Sequence, residues 1–252
     1  MKPFLSEWVR GVSDVVFPPV CVHCRALVEA NEPEAEHRHD FRHLCRRCAA
    51  QLEFVTPPHC ATCGHPFFGV LEGERQCVKC DGLTPEFGEG RTAVLFRGPA
   101  RALILELKYH RGLHVLEDIA VIFGRSAHLL AAVRGATLVP VPLHPRKARE
   151  RGYNQAALLA ERLAAAAGGD TRVEGLLRRA VDTATQTAFD RRTRMANLQN
   201  AFALEPGATL TPGHHYILID DVFTTGSTLN SCAHALRQGG ALKLDVVTFG
   251  HG

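Results

Sequence analysis

Two adjacent carboxylates stand beside a run of small hydroxyl residues, and together they could bind a phosphorylated sugar. An apolar stretch leads into the pair and the hydroxyl run, which are Asp220, Asp221, Thr224, Thr225, Gly226, Ser227 and Thr228. Carboxylates suit vicinal hydroxyls or Mg²⁺, whereas hydroxyls and the free N–H groups of a helix N-terminus suit phosphate. Gly226 lets the backbone approach a ligand closely. The pattern predicts a ribose 5-phosphate site with Asp220 and Asp221 at its centre.

A strand followed by an N-capped helix is the alternative interpretation, because Asp, Ser and Thr are common at helix starts. The combination of an apolar run, Asp-Asp and Thr-Thr-Gly-Ser-Thr favours the phosphosugar site. This run resembles the signature of type I phosphoribosyltransferases, which hold 5-phosphoribosyl 1-pyrophosphate (PRPP). The resemblance implies that Asp220 and Asp221 are the catalytic pair that holds the ribose hydroxyls and Mg²⁺. It also implies that residues 224–228 form the 5-phosphate loop.

Eight of the nine cysteines form four Cys-x-x-Cys pairs within residues 21–80. Two such pairs complete a tetrahedral four-sulfur site, so the sequence predicts two structural zinc ions. The ligands are Cys21, Cys24, Cys45, Cys48, Cys60, Cys63, Cys77 and Cys80. Sequential pairing is the simplest arrangement, and an interleaved one stays open. Disulfides or redox chemistry are the alternatives, which the fourfold repeat of the spacing disfavours.

The ninth cysteine, and the histidines between the first two cysteine pairs, are not predicted to bind metal. His37, His39 and His43 lie in a polar stretch between the first two cysteine pairs and are read as solvated loop residues, since eight thiolates already suffice. Cys232 is read as a small buried helix residue.

A first basic stretch follows a predicted strand and suits a pyrophosphate group. Arg146, Lys147 and Arg149 belong to it, and Lys108 ends an earlier helix. Guanidinium groups pair with phosphate oxygens, so these four residues are predicted to bind pyrophosphate. A solvated basic face or a nucleic-acid contact is the alternative for residues 144–155, and a solvated helix-end lysine is the alternative for Lys108.

A second polar and basic stretch, residues 178–199, lacks a firm period. Long polar loops inside compact domains are usually functional, so it is predicted to be a flexible loop that closes over PRPP. Gln186, Arg194 and Asn197 are its candidate site residues. A groove for single-stranded nucleic acid is the alternative, with Tyr153 and Phe189 as the candidate stacking aromatics.

These side chains need a scaffold, and the apolar periodicity predicts an α/β fold. Strands are predicted at residues 93–96, 136–142, 201–204, 216–219 and 243–249, with an extended segment at 173–177. Helices are predicted at 100–109, 115–133, 153–167 and 229–236, and residues 142–151 are predicted to be a loop. Alternating strands and helices predict a doubly wound, mostly parallel sheet with flanking helices. Ligands then sit at the carboxyl ends of the strands.

The chain divides into three predicted regions: an amphipathic helix at 1–19, a double zinc-ribbon domain at 20–82, and a phosphoribosyltransferase-like domain at 91–252 after a glycine-rich linker. The composition is that of a globular protein, with 46% hydrophobic residues and a net charge of +3, which gives no global signal for a polyanion partner. No apolar run is long enough to span a membrane, and the first residues do not resemble a signal peptide. We therefore expect a cytoplasmic protein.

Four blocks in order resemble the ComF family of competence proteins. They are the cysteine pairs after Phe17-Pro18-Pro19, the run 107–110, the run 139–155, and the polar residues 183–198 that precede the Asp220-Asp221 signature. The resemblance implies a type I phosphoribosyltransferase-like fold behind a zinc-binding N-terminus. It also implies a role in natural transformation, with single-stranded DNA and competence or recombination proteins as partners.

Three hypotheses follow from these patterns. The first is a ComF-type PRPP-binding protein that acts on imported single-stranded DNA. The second is an active phosphoribosyltransferase with an acceptor base or amine that the sequence does not identify. The third is a DNA- or protein-binding module without chemistry on the same fold. Transfer of ammonia from glutamine is not supported, because the sequence carries no glutaminase half.

Overall fold

The computed structural model describes residues 18–28, 39–67, 77–80, 82–180 and 201–252. The predicted N-terminal helix, apart from residues 18 and 19, lies outside these ranges. So do His37, Phe189 and the three candidate residues of the flexible loop, Gln186, Arg194 and Asn197. No helix within the described ranges is both long and apolar enough to cross a bilayer.

Five parallel strands form the central sheet, in the order β1-β7-β6-β2-β3. Their bounds are β1 Gly90–Leu95, β2 Thr137–Pro140, β3 Arg172–Val173, β6 His215–Phe223 and β7 Lys243–His251. Two further strands, β4 Leu177–Arg179 and β5 Phe202–Leu204, pair antiparallel in a separate ribbon. The predicted mostly parallel sheet is confirmed, with the signature strand β6 at its centre.

Helices connect and cover the strands. Their bounds are α1 Arg46–Ala49, α2 Gly98–Tyr109, α3 Leu116–Arg125, α4 Ala127–Val133, α5 Pro145–Arg151, α6 Gln155–Ala167 and α7 Ser227–Gln238. Asn154 caps α6 by accepting a hydrogen bond from the Ala156 N–H at 3.0 Å. Two short 3₁₀ turns lie at Val78–Cys80 and Leu113–Val115.

Two sequence predictions about helices were wrong. The single helix predicted at 115–133 is two helices, because Ser126 leaves the helical conformation (φ −95°, ψ 72°) and its hydroxyl donates to the Ile122 carbonyl at 2.9 Å. The loop predicted at 142–151 contains α5. Pro145 stands in its first turn, and the His144 side chain caps it by accepting from the Arg146 N–H at 3.1 Å.

The sheet has an apolar core on each face, and each core contains one cysteine cluster. Ile217 and Ile219 of β6 face the core formed with α2, α3, α4 and α6, which also buries Leu44 and Cys48. Leu218 faces the opposite core with α7, where Cys60, Cys63 and Cys80 are buried. Alternate strand residues point to opposite faces, which accounts for the division. The cysteine region contributes residues to both of these cores, so the structure does not separate it from the sheet. The domain bounds at 20–82 and 91–252 therefore stay predictions.

Polar and backbone contacts fix the cysteine region to the rest. Asp118 of α3 is fully buried and accepts from the backbone N–H groups of Arg42 and His43, at 2.8 and 2.9 Å. Residues 53–55 run along β1, where the Val55 N–H donates to the Ala93 carbonyl at 2.9 Å. They therefore cover the edge of the sheet that β1 would otherwise leave unpaired.

Candidate functional site

The signature residues surround one cavity at the carboxyl end of β6. Its volume is about 210 Å³. The lining residues are Lys108, Asp220, Asp221, Val222, Thr224, Gly226, Ser227, Thr228 and Leu229. The strand ends at Phe223 and α7 begins at Ser227, so a tight turn of three residues separates them. The cavity therefore has acidic side chains on the strand side and hydroxyls with a helix N-terminus on the other.

Gly226 shapes the turn, and a side chain at its position would be strained. Its φ is +72°, in the left-handed region, and a Cβ there would stand 2.7 Å from the Phe223 ring and 3.1 Å from Leu83. The Thr225 and Ser227 hydroxyls lie 3.0 Å apart beside it. The turn therefore presents backbone N–H groups and hydroxyls to the cavity without a side chain in between.

Lys108 joins the site from α2. Its ammonium Nζ lies 2.5 Å from Oδ2 of Asp221, whose side chain is buried. The position of this helix end is fixed by packing: Leu103 and Leu107 are fully buried, and the Tyr153 hydroxyl donates to the Leu107 carbonyl. The sheet and α2 together thus place one cation directly on one of the two signature carboxylates.

Asp220 is in a different electrostatic setting. Burial, and next the charge of Asp221, raise the pKa of the Asp220 carboxyl above its usual range. Its Oδ1 accepts the Asp221 backbone N–H at 2.8 Å. The charge of Asp220 also adds to burial in raising the pKa of the Cys232 thiol on α7. The two carboxylates therefore differ: Asp221 is ion-paired with Lys108, whereas burial and the charge of Asp221 favour the protonated form of Asp220.

The structure brings together most of the predicted phosphosugar residues. Lys108 and all the predicted residues from Asp220 to Thr228 except Thr225 line the cavity. Arg146, Lys147 and Arg149 do not line it; they lie exposed on α5, and Arg146 pairs with Glu150 at 2.8 Å.

One supporting segment escaped the sequence interpretation. Residues 83–90 were predicted as a linker, but they are tied to α7: the Asn230 Oδ1 accepts from the Glu86 N–H at 2.6 Å, and the Arg237 Nε donates to the Glu86 carbonyl at 2.8 Å. Leu83 of this segment lies beside the turn at residues 224–226, since a Cβ added at Gly226 would stand 3.1 Å from its side chain. The sequence signals were two apolar residues, Leu83 and the buried Phe87, among glycines and prolines, which are too weak to indicate docking.

The eight paired cysteines form two clusters, in the sequential arrangement. One holds Cys21, Cys24, Cys45 and Cys48, the other Cys60, Cys63, Cys77 and Cys80, and within each cluster the sulfurs lie within 4.8 Å of one another. All are free thiols. The sulfurs of Cys24 and Cys45 are 3.6 Å apart, and those of Cys60 and Cys80 are 3.9 Å apart. Tetrahedral zinc with Zn–S bonds of about 2.3 Å requires a sulfur separation of about 3.8 Å, so both clusters fit zinc.

The two clusters differ in exposure. Cys24 is exposed and lines an open cavity of about 650 Å³, whereas Cys60, Cys63 and Cys80 are almost completely buried. Each cluster offers four thiolates and no open position, which is the chemistry of a structural site.

Comparisons with known proteins agree with this architecture. A family model described as "Double zinc ribbon domain" matches residues 12–81. Competence protein F of Haemophilus influenzae is 28% identical over 90% of this chain and 94% of its own. The DNA utilization protein YhgH of Escherichia coli K12 is 30% identical over 74% of this chain and 81% of its own. Competence protein ComFC of Bacillus subtilis is 24% identical over 78% and 79%.

A solved hypoxanthine phosphoribosyltransferase from Staphylococcus aureus is a more distant likeness. It is 19% identical and covers 53% of this chain and 62% of its own, with a TM-score of 0.33. The fold and the cysteine clusters define the class of protein: a double zinc ribbon joined to a parallel α/β sheet. The chain belongs to the ComF family, which includes competence protein F, ComFC and YhgH.

Proposed function

We propose that this protein binds PRPP together with Mg²⁺ in the cavity at the end of β6. The observation that carries the proposal is the convergence of two carboxylates, a phosphate-type turn and one lysine on a single cavity. Asp220 and Asp221 would hold the ribose hydroxyls and Mg²⁺. Residues 224–228 would hold the 5-phosphate through hydroxyls and helix N–H groups.

Lys108 is the residue proposed to contact the pyrophosphate group. Its ammonium already lies in the cavity, and a cation there would stabilise the negative charge on the pyrophosphate. The arginines and lysine of α5 stand outside the cavity lining. Their contact with pyrophosphate stays a prediction.

The names of the relatives suggest the biological setting. Two are called competence proteins and one a DNA utilization protein. We therefore propose that the protein acts on imported single-stranded DNA during natural transformation, in the cytoplasm, with PRPP as its small-molecule ligand.

A transfer of ribose 5-phosphate to a base or amine is the second candidate function. The placement of Lys108 favours it, because a cation beside the departing pyrophosphate lowers the barrier of such a transfer. Bound Mg²⁺ would neutralise charge on the pyrophosphate. Release of pyrophosphate from PRPP, with and without single-stranded DNA, separates this candidate from binding alone.

Isothermal titration with PRPP and Mg²⁺ tests the binding proposal. The change from Asp220 and Asp221 to asparagine should remove most of the affinity. A matched control, Asp170→Asn with Glu174→Gln, removes two exposed carboxylates elsewhere and should leave the affinity unchanged. Absence of binding at millimolar PRPP, or equal binding by both double variants, contradicts the proposal.

A further inference from the structure

A basic surface with one exposed aromatic ring begins at Tyr109, directly after the cavity residue Lys108 in the chain. We define the Tyr109 surface by residues on the end of α2, the turn that follows it, and α5. Its members are Tyr109, Arg111, Lys147, Arg149 and Arg151. The Tyr109 side chain is 69% exposed, although tyrosine normally buries most of its ring.

Direct contacts join the two elements into one continuous surface. The Arg151 guanidinium lies 5.9 Å from the centre of the Tyr109 ring, within cation–π range. The Arg111 Nη2 donates to the Glu150 carbonyl at 3.3 Å. These contacts connect the end of α2 and the turn after it to α5, so the two elements form one surface.

The surface carries a strong positive charge. The helix α5 has four basic residues and one acidic residue, Glu150. The ion pair between Arg146 and Glu150 uses the acid, and Lys147 and Arg149 have no ion pair among the described residues. The net charge of the whole chain is +3, and α5 by itself carries a net charge of +3. A polyanion is the complementary partner.

The exposed ring narrows the choice of polyanion. Single strands offer the faces of unstacked bases to aromatic side chains, whereas a duplex stacks its own bases. Tyr153, the stacking candidate from the sequence, is not available, because it is partly buried and its hydroxyl donates to the Leu107 carbonyl. Of the two tyrosines Tyr109 and Tyr153, Tyr109 is therefore the one whose ring is exposed for stacking.

The surface is also directly connected to the candidate PRPP site. Lys108 lines the cavity, and Tyr109 follows it in the chain on the exposed side of α2. A strand held by the Tyr109 surface would therefore lie beside the helix end that contributes Lys108 to the cavity. The position suits a nucleic acid whose end or base is presented to the bound phosphosugar.

We propose that the Tyr109 surface binds single-stranded nucleic acid, with a base stacked on Tyr109 and phosphates on the basic side chains of α5. The inference rests on the proposed function in DNA handling and locates that contact. It assigns α5 to nucleic-acid phosphates, in place of the pyrophosphate contact predicted for Arg146, Lys147 and Arg149.

Fluorescence anisotropy with a labelled oligothymidylate of about 20 nucleotides, about the span of one or two single-strand sites, tests the proposal. The variant Lys147→Glu with Arg149→Glu should bind at least about tenfold more weakly and show a shallower salt dependence. The variant Arg134→Glu with Lys243→Glu changes charge equally at exposed positions near the amino ends of β2 and β7, and should bind as the wild type does.

The ring is tested separately. Tyr109→Ala should weaken binding of the single strand about tenfold, while Tyr109→Phe keeps the affinity because it keeps the stacking face. If the wild type binds the oligonucleotide and the α5 variant binds equally well, the surface is wrong while DNA handling stands. If the wild type does not bind it at all, both the surface and the proposed DNA role are overturned. The calorimetric test of PRPP is independent of either result.

Discussion

Lys108 and Asp221 form an ion pair inside the cavity, with 2.5 Å between Nζ and Oδ2. The carboxylate is buried and the lysine is about one-fifth exposed. A charge of the protein itself thus occupies the position where Mg²⁺ or a ribose hydroxyl is proposed to bind. Ligand binding would then exchange one electrostatic partner of Asp221 for another, and Lys108 would be released toward the pyrophosphate.

Removal of Lys108 should destabilise the fold, because Asp221 would be left as a buried charge without a partner. We expect Lys108→Met to lower the free energy of unfolding by about 2 kcal/mol, less than for a fully buried pair. Adding Asp221→Asn should restore most of the loss. Urea denaturation measures both. Arg146→Met breaks an exposed ion pair and should cost less than about 1 kcal/mol.

Binding of PRPP should be coupled to release of a proton from Asp220. Burial and the charge of Asp221 raise the pKa of Asp220, whereas a bound cation favours the ionised form. The affinity for PRPP with Mg²⁺ should therefore increase with pH and level off above the raised pKa. Calorimetry in two buffers of different ionisation enthalpy measures the proton, and Asp220→Asn should abolish its release. An affinity independent of pH would contradict this coupling.

Gly226→Ala should distort the turn at residues 224–226 and lower the affinity for PRPP, in addition to the loss of stability from backbone strain. The new methyl group meets the Phe223 ring, and φ is positive. Gly207→Ala is the matched control, since Gly207 also has a positive φ (+84°) but open space around it. Both variants should lose about 1 kcal/mol of stability from φ, and only Gly226→Ala should lose PRPP affinity. Thermal unfolding and calorimetry distinguish the two effects.

Asp118 should give the stability a specific pH dependence. Burial raises the pKa of Asp118 from 3.8 to about 6, although hydrogen bonds from backbone N–H groups, including those of Arg42 and His43, lower it. An acid whose pKa is raised on folding favours the folded state at low pH, and this contribution decreases as the pH rises through 6. Relative to Asp118→Asn, the wild type should lose about 1.4 kcal/mol between pH 5 and 7. A difference that is constant over this range would show that Asp118 titrates normally.

Zinc should leave the two clusters at different rates. The first cluster has the exposed Cys24, whereas the second is closed by buried thiols. Challenge with a thiol reagent and a coloured chelator should release two zinc ions per chain in two phases of equal amplitude. Cys24→Ser should remove the fast phase and leave the slow one. A single phase would mean that exposure does not control access to the metal.

The sequence was sufficient for the features that have a strong local signal. Apolar runs indicated the central strands because buried parallel strands are apolar on both faces. The cysteine spacing indicated the two clusters because paired thiols two residues apart serve a tetrahedral ion. The signature indicated the cavity because its residues are consecutive, and a strand followed by a turn and helix brings them together without help from distant residues.

Other features depend on packing, which the sequence does not express locally. The break at Ser126 comes from one hydroxyl that bonds to the Ile122 carbonyl within an otherwise helical pattern. The pairing of Lys108 with Asp221 depends on how α2 is docked on the sheet, 113 positions away in the chain. The exposure of Tyr109 at the end of α2 likewise depends on how that helix packs, and periodicity alone had not indicated it.

The segment that follows the second cysteine cluster connects that cluster to the turn at Gly226, so the supply of zinc would affect the ligand site. Cys80 is separated from Leu83 by two residues, and the Leu83 N–H donates to the Cys80 carbonyl at 3.0 Å. The Leu83 side chain lies beside Gly226 in the turn at residues 224–226. The segment then continues to Glu86, which is bound to α7. A cell starved of zinc would therefore produce chains in which the turn at residues 224–226 lacks the support of Leu83. Metal availability would act as a maturation checkpoint for the ligand site, without any metal in the chemistry.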